Sequence, residues 1–191
     1  MLSGLAAVIP YAETIPWLEL QTLVVFAAGY LLGARAGAVI GAVAMGFYSL
    51  ANPQGMAHPL VFVAQVSGRA LVGAMGGWAQ SVGLPAALGH RSLSLVLWAV
   101  ACSLIYDLLT NVASGVVYGQ MIPGLLLGIP WAIAHLASNA VFFVLVGLPL
   151  FRLLDSRRAR LIAFALLTLC TDITELALFS LLTLRSLWTD A

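Results

Sequence analysis

Long apolar stretches separated by short polar or turn-forming junctions set the organisation of this chain, and that alternation predicts its elements before any single residue does. Residues 1–19 form a short apolar segment broken by Pro10 and Pro16 and carrying Glu13 and Glu19. Residues 20–51 are apolar almost throughout. As a single helix they would run roughly 48 Å at 1.5 Å per residue, too long for a hydrocarbon core of about 30 Å. A break is therefore expected at Gly33-Ala34-Arg35-Ala36-Gly37, leaving two helices short for spanning, which tilt or local bilayer thinning accommodates.

The next junction, Asn52-Pro53-Gln54-Gly55, has turn chemistry: proline presets φ and glycine accepts positive φ. A span is expected over 59–83, then a polar hinge from Pro85 to Ser92, then a span over 93–117. A loop through Gly119-Gln120-Met121-Ile122-Pro123-Gly124 leads into 125–151, interrupted by Pro130, and the basic patch Arg152 to Arg160 ends it. A last apolar run covers 161–184. The pattern predicts one all-α integral-membrane domain over 1–191, a polytopic bundle of about six transmembrane helices.

Composition strengthens this reading. Of 191 residues, 62% are apolar and 8% charged, with mean hydropathy +1.06. A soluble domain of this size cannot hide so much apolar surface, so the surplus faces lipid. The cations are all arginine, and their placement predicts orientation. Arg35, Arg91 and the group Arg152, Arg157, Arg158 and Arg160 fall at every second junction, while 52–58 and 118–124 carry none. By the positive-inside rule the arginine-bearing junctions are cytoplasmic, in the plasma membrane of the cell, and the other two external; the C-terminus, with Arg185 and Asp190, then lies outside. A net charge of +1 gives no reason to expect a nucleic-acid partner. The N-terminus has no basic region before its apolar start, so the first span is expected to serve as an uncleaved targeting element.

Candidate chemistry is sparse. Gly29, Gly33, Gly37 and Gly41 recur every four residues and stack on one helix face, with Gly68, Gly73, Gly76 and Gly77 as a second small-residue surface. Such faces let backbones approach, either within the chain or against a separate membrane subunit. Arg69 and Asp107 sit deep inside spans, where an ionised group is costly unless paired or solvated. They read either as a structural ion pair or as the lining of a polar cavity. Gln65 shares the face of Arg69; Asp107 with Asn111, and His135 with Asn139, are spaced i, i+4 on theirs. These six side chains could converge on a solute pocket or simply hydrogen-bond across helices. Asp172 and Glu175 share a face of the last run and read as an ion path or as hydrogen-bonding carboxylates. His58, His90, Cys102 and Cys170 lack metal-ligand spacing, so no metal or cofactor is expected. No phosphate-binding loop, catalytic triad or HExxH motif gives an enzyme a foothold.

The run Phe26-Ala27-Ala28-Gly29-Tyr30-Leu31-Leu32-Gly33-Ala34-Arg35-Ala36-Gly37-Ala38-Val39-Ile40-Gly41-Ala42 resembles a hairpin of the S components, the substrate-capture membrane subunits of energy-coupling factor (ECF) transporters. Asn52-Pro53-Gln54-Gly55 followed by His58-Pro59 is similar to their third-loop region, and Tyr106-Asp107-Leu108-Leu109-Thr110-Asn111 to a fifth-helix pattern. His135-Leu136-Ala137-Ser138-Asn139-Ala140, running on to Gly147-Leu148-Pro149-Leu150, resembles their last helix. The likeness covers 20–151. It implies a cytoplasmic N-terminus, six helices, and uptake of a vitamin-like solute through an external pocket. The partners implied are a transmembrane coupling subunit and two ATPase subunits. On that footing Gln65, Arg69, Asp107, Asn111, His135 and Asn139 line the pocket, and Asn52, Gln54 and His58 belong to its gating loop. The chain departs from the family at both ends. Residues 1–19 hold Ser3 and Ala7 where the family has an Ala-x-x-x-Ala coupling face, and 161–184 lies beyond the usual last helix. A second reading, a small multispan scaffold of an envelope or cell-shape complex, needs the same spans and partners but no solute.

Overall fold

The computed structural model describes residue 3 and residues 20–52, 55–85 and 88–156. The N-terminal segment, apart from residue 3, and the run 161–184 lie outside the described residues. The chain divides into two compact units, and the helices discussed below belong, as far as Phe151, to the unit Leu2–Phe151. Every regular element among the described residues is helical: α1 (Gln21–Leu32), α2 (Ala34–Leu50), α3 (Pro59–Val82), α4 (Leu88–Tyr118), α5 (Met121–Phe142), a π-helical turn (Phe143–Gly147) and α6 (Leu148–Asp155). Pro59–Val82, Gly89–Tyr118 and Met121–Asp155 are each long and apolar enough to cross a membrane. Their outward faces fit that solvent: Leu93, Leu97, Leu104 and Leu108 on α4 are all at least half exposed. Water would not stabilise such a stripe, but hydrocarbon does.

The long first apolar run breaks at a single residue. Gly33 adopts φ 90°, a backbone conformation that side chains rarely tolerate, and α1 and α2 fold back on each other about it. α3 then lies against both arms and against α4. The three helices meet at Gly29, Gly37 and Gly73. A Cβ at Gly29 would stand 1.9 Å from the Gly73 carbonyl oxygen, and one at Gly37 would stand 2.3 Å from it. One at Gly73 would stand 2.0 Å from the Gly37 oxygen. Gly41 meets the Arg69 backbone, and Gly76 and Gly77 meet those of Phe26 and Ala34, in the same way. Gly29, Gly37 and Gly41 are thus used against α3, and Gly73, Gly76 and Gly77 against the α1–α2 pair, whereas Gly33 forms the turn with nothing within 4 Å and Gly68 faces Tyr106 of α4 instead. With no hydrophobic driving force between helices in lipid, this close approach is what dispersion and weak polar contact require.

Beside this crossing sits an aromatic cluster. The Phe26 ring lies 5.8 Å from Trp98, 5.2 Å from Phe143 and 5.8 Å from Phe151, and Tyr30 lies 4.9 Å from Phe151, mostly edge-on. It ties α1 to α4, to the π turn and to α6.

Two boundaries differ from the sequence expectation. The hinge from Pro85 to Ser92 is shorter, because α4 already contains Gly89 to Ser92; Arg91 is buried and its Nε donates to the Pro85 carbonyl at 2.8 Å. The loop Gly119 to Gly124 contracts to Gly119 and Gln120. Gly119 at φ 64° ends α4, with Gln120 N–H donating to the Gly115 carbonyl and Gly119 N–H to that of Val116, a Schellman arrangement. Pro123 falls in the first turn of α5, where the missing N–H has no helical partner to lose. α5 also runs through Pro130, and it passes into a π turn just before Pro149, whose ring cannot donate to and crowds the carbonyl four residues earlier.

Candidate functional site

α4 and α5 are joined by a two-residue turn and therefore run antiparallel, which pairs polar positions four residues apart into rungs. Asn139 Nδ2 donates to Ser103 Oγ at 2.9 Å. Asp107 Oδ1 and His135 Nδ1 are 2.9 Å apart, with side-chain exposures of 16% and 12%. The Asn111 amide lies over Gly128, where a Cβ would come within 3.0 Å of Nδ2. Four of the six pocket candidates thus share one seam, and Asp107 bonds to His135 rather than to Arg69.

Arg69 belongs to an adjoining group. Its guanidinium carbon stands 3.9 Å above the centroid of the Tyr106 ring, and Nη1 donates to Thr22 Oγ1 of α1. The side chain is 2% exposed, so this stack is deeply desolvated. Gly68 makes room for it: a Cβ there would stand 2.8 Å from Tyr106 Cδ2. Tyr106 also meets the His135 ring edge-on at 6.2 Å, and its hydroxyl points to Met45 Sδ at 3.8 Å. Tyr106 and Asp107, adjacent on α4, thereby link the arginine group to the seam.

The bookkeeping of hydrogen bonds leaves two acceptors over. Asp107 Oδ2 and Asn139 Oδ1 are buried with no hydrogen-bond partner, although Asn139 is wholly enclosed. Each such acceptor costs about 1–3 kcal/mol relative to a satisfied one. Native interiors satisfy nearly all buried polar atoms, so two on neighbouring rungs mark the seam as unusual. The helix bearing His135 and Asn139 also contains Pro130 ahead of them and passes into the π turn Phe143–Gly147 after them.

The remaining candidates lie elsewhere. Gln65 Oε1 accepts from Ser49 Oγ at 2.9 Å across α2 and α3. His58 is exposed and caps α3, its Nδ1 accepting from Leu60 N–H at 3.3 Å. The Asn52 carbonyl accepts from Gly55 N–H at 3.0 Å, closing the turn; Gln54 lies outside the described residues. Cys102 is buried against Met75, and His90 is exposed in the first turn of α4. Cys170, Asp172 and Glu175 lie outside the described residues. Among the described residues no group of three or more His, Cys, Asp or Glu side chains could hold a metal ion.

Sequence reasoning missed Thr22, Ser103 and the role of Tyr106. Ser103 stands four residues before Asp107, and that spacing was a usable signal; Thr22, a lone hydroxyl in an apolar run, offered none. Comparison of the chain with protein-family models, with curated proteins and with solved structures finds no match.

Proposed function

We propose that this chain is the solute-capture membrane subunit of an energy-coupled importer, an S component of the ECF type, which takes a vitamin-like small molecule from outside the cell. The observation that carries the reading is the convergence of Thr22, Arg69, Tyr106, Asp107 and His135 from four helices within apolar spans, beside two unsatisfied acceptors. Ionisable groups inside a membrane are expensive, and a substrate path is a common reason for keeping them. The motif likeness over 20–151 and the alternation of arginine-bearing junctions support the same reading. In this reading the short helices α1 and α2, the three long ones and the run 161–184 supply six spans, in the plasma membrane with the arginine junctions cytoplasmic. The chain carries no nucleotide-binding motif, so energy comes from a coupling subunit and two ATPases.

The test is a titration of the purified protein in lipid nanodiscs against water-soluble vitamins and their precursors. One solute is expected to bind, with Asp107→Ala and Asn139→Ala each weakening it more than tenfold while the helical content is unchanged. Affinity unchanged in both folded variants removes the seam from the site. Absence of any binding, together with co-purification of envelope proteins instead of ATPases, returns the chain to the scaffold reading.

A further inference from the structure

We infer that the guest of the α4–α5 seam is a nitrogen-donor solute, a cation or a neutral molecule presenting N–H groups, and not a carboxylate; the inference rests on the solute-capture reading. It follows from what the protein has left unspent. Asn139 Nδ2 is engaged by Ser103, His135 Nδ1 faces Asp107 Oδ1, and Arg69 is held between Thr22 and the face of Tyr106. On the α4–α5 seam itself the buried atoms still lacking partners, Asp107 Oδ2 and Asn139 Oδ1, are both acceptors. Asp107 pairs with His135, and Asn139 lies four residues beyond it, so the two rungs that bear the acceptors are about one helical turn apart, roughly 5–6 Å along the helix axis. A flat molecule with two N–H groups at that spacing satisfies both, and a positive charge on it is matched by the Asp107 carboxylate. A carboxylate guest would instead bring a third set of lone pairs to two that are already unsatisfied, so binding discriminates by unpaired polar groups rather than by size.

Both acceptors are closed off from solvent here, so the seam must part to admit the guest. The segment that would move is defined by the chain itself. Pro130 deprives the Leu126 carbonyl of its usual donor, and the π turn Phe143–Gly147 interrupts the regular ladder, so the stretch 131–142 carrying His135 and Asn139 is bracketed by two weakened points.

Matched probes test the class. Pyridoxamine and 4-pyridoxate share a ring and differ in carrying an ammonium or a carboxylate. Thiamine and benzamidine extend the donor set, and pantothenate and nicotinate the anionic one. Binding is read by titration of the full-length protein in nanodiscs, beside Asp107→Asn and Asn139→Asp variants checked for unchanged helicity. At least one donor probe is expected to bind at least tenfold tighter than every carboxylate. Asp107→Asn, which replaces an acceptor by a donor, is expected to cost that probe more than tenfold. Asn139→Asp, which keeps the Oδ1 acceptor and adds a negative charge, is expected to raise the affinity of a cationic probe. A carboxylate bound as tightly as the donors, or a donor indifferent to Asp107→Asn, overturns the assignment of class while leaving solute capture standing. No binding of any probe overturns both.

Discussion

The crossing of α1, α2 and α3 and the seam between α4 and α5 hold helices together in lipid by opposite means. At Gly29, Gly37 and Gly73 the contact is backbone against backbone, with no side chain between them and no polar side-chain atom to satisfy. Along Ser103, Asp107 and Asn111 the contact is made by polar side chains reaching across to α5, and two acceptors, one on each helix, remain unsatisfied. The first arrangement cannot adjust, because its obstacles are carbonyls fixed by helical hydrogen bonds. The second can, because side chains rotate and because α5 carries Pro130 before His135 and gives way to the π turn after Asn139. Rigidity and adjustability are thus divided between two faces of the bundle.

Substitutions can break or sharpen that contrast. The largest effect is expected from Gly73→Val, whose Cβ falls 2.0 Å from the Gly37 oxygen. Overpacking usually costs about 1–3 kcal/mol, and more where the neighbour is backbone. Loss of a monodisperse, cooperatively melting protein in detergent is the expected result; a wild-type melting curve would mean the helices do not meet as closely as described. Next comes Arg69→Met, which gives up the stack on Tyr106 and the bond to Thr22. A loss of about 2 kcal/mol is expected from thermal melts, and Arg69→Lys should recover less than half of it, since an ammonium lacks the planar fork.

At the seam itself the expected stability effects are smaller. A double-mutant cycle on Ser103→Ala and Asn139→Ala should give a coupling of about 0.6 kcal/mol, within the range measured for hydrogen bonds between membrane helices. The paired change Ser103→Ala with Asn139→Leu removes the unsatisfied acceptor as well, and is expected to melt near the wild type. A coupling of several kcal/mol would make the seam structural glue and erase the contrast with the glycine crossing. The smallest effect is a control on the first region. Gly46→Ala meets nothing within 4 Å on the same helix as Gly37, and should stabilise by up to about 1 kcal/mol through helix propensity alone.

Much of the helical frame was legible because it follows from lengths and local chemistry. A roughly 48 Å apolar run cannot cross a bilayer as one helix, and the glycine among its candidates that accepts positive φ is where it turns. The loop at 119–124 was overestimated because Pro123 reads as a breaker, whereas proline in a first turn loses nothing and Gly119 suffices to end α4. The site was less legible. Spacing placed Asp107 with Asn111, and His135 with Asn139, on shared faces, but it carries no information on which face meets which. The bond from Arg69 to Thr22 spans 47 positions and joins α3 to a helix whose polarity gave no hint of it.

The sequence by itself determined that this chain is helical, that its helices are apolar enough for a bilayer, and where proline and glycine permit them to start and stop. Those properties depend on near neighbours in the chain and on total apolar surface, both of which can be read in one dimension. Only the tertiary structure decided that Asp107 takes His135 as partner, that Tyr106 lies under Arg69, and that two acceptors on adjacent rungs are left without donors. Pairing across helices depends on how each is rotated about its axis, and that rotation is fixed by packing against all the others at once.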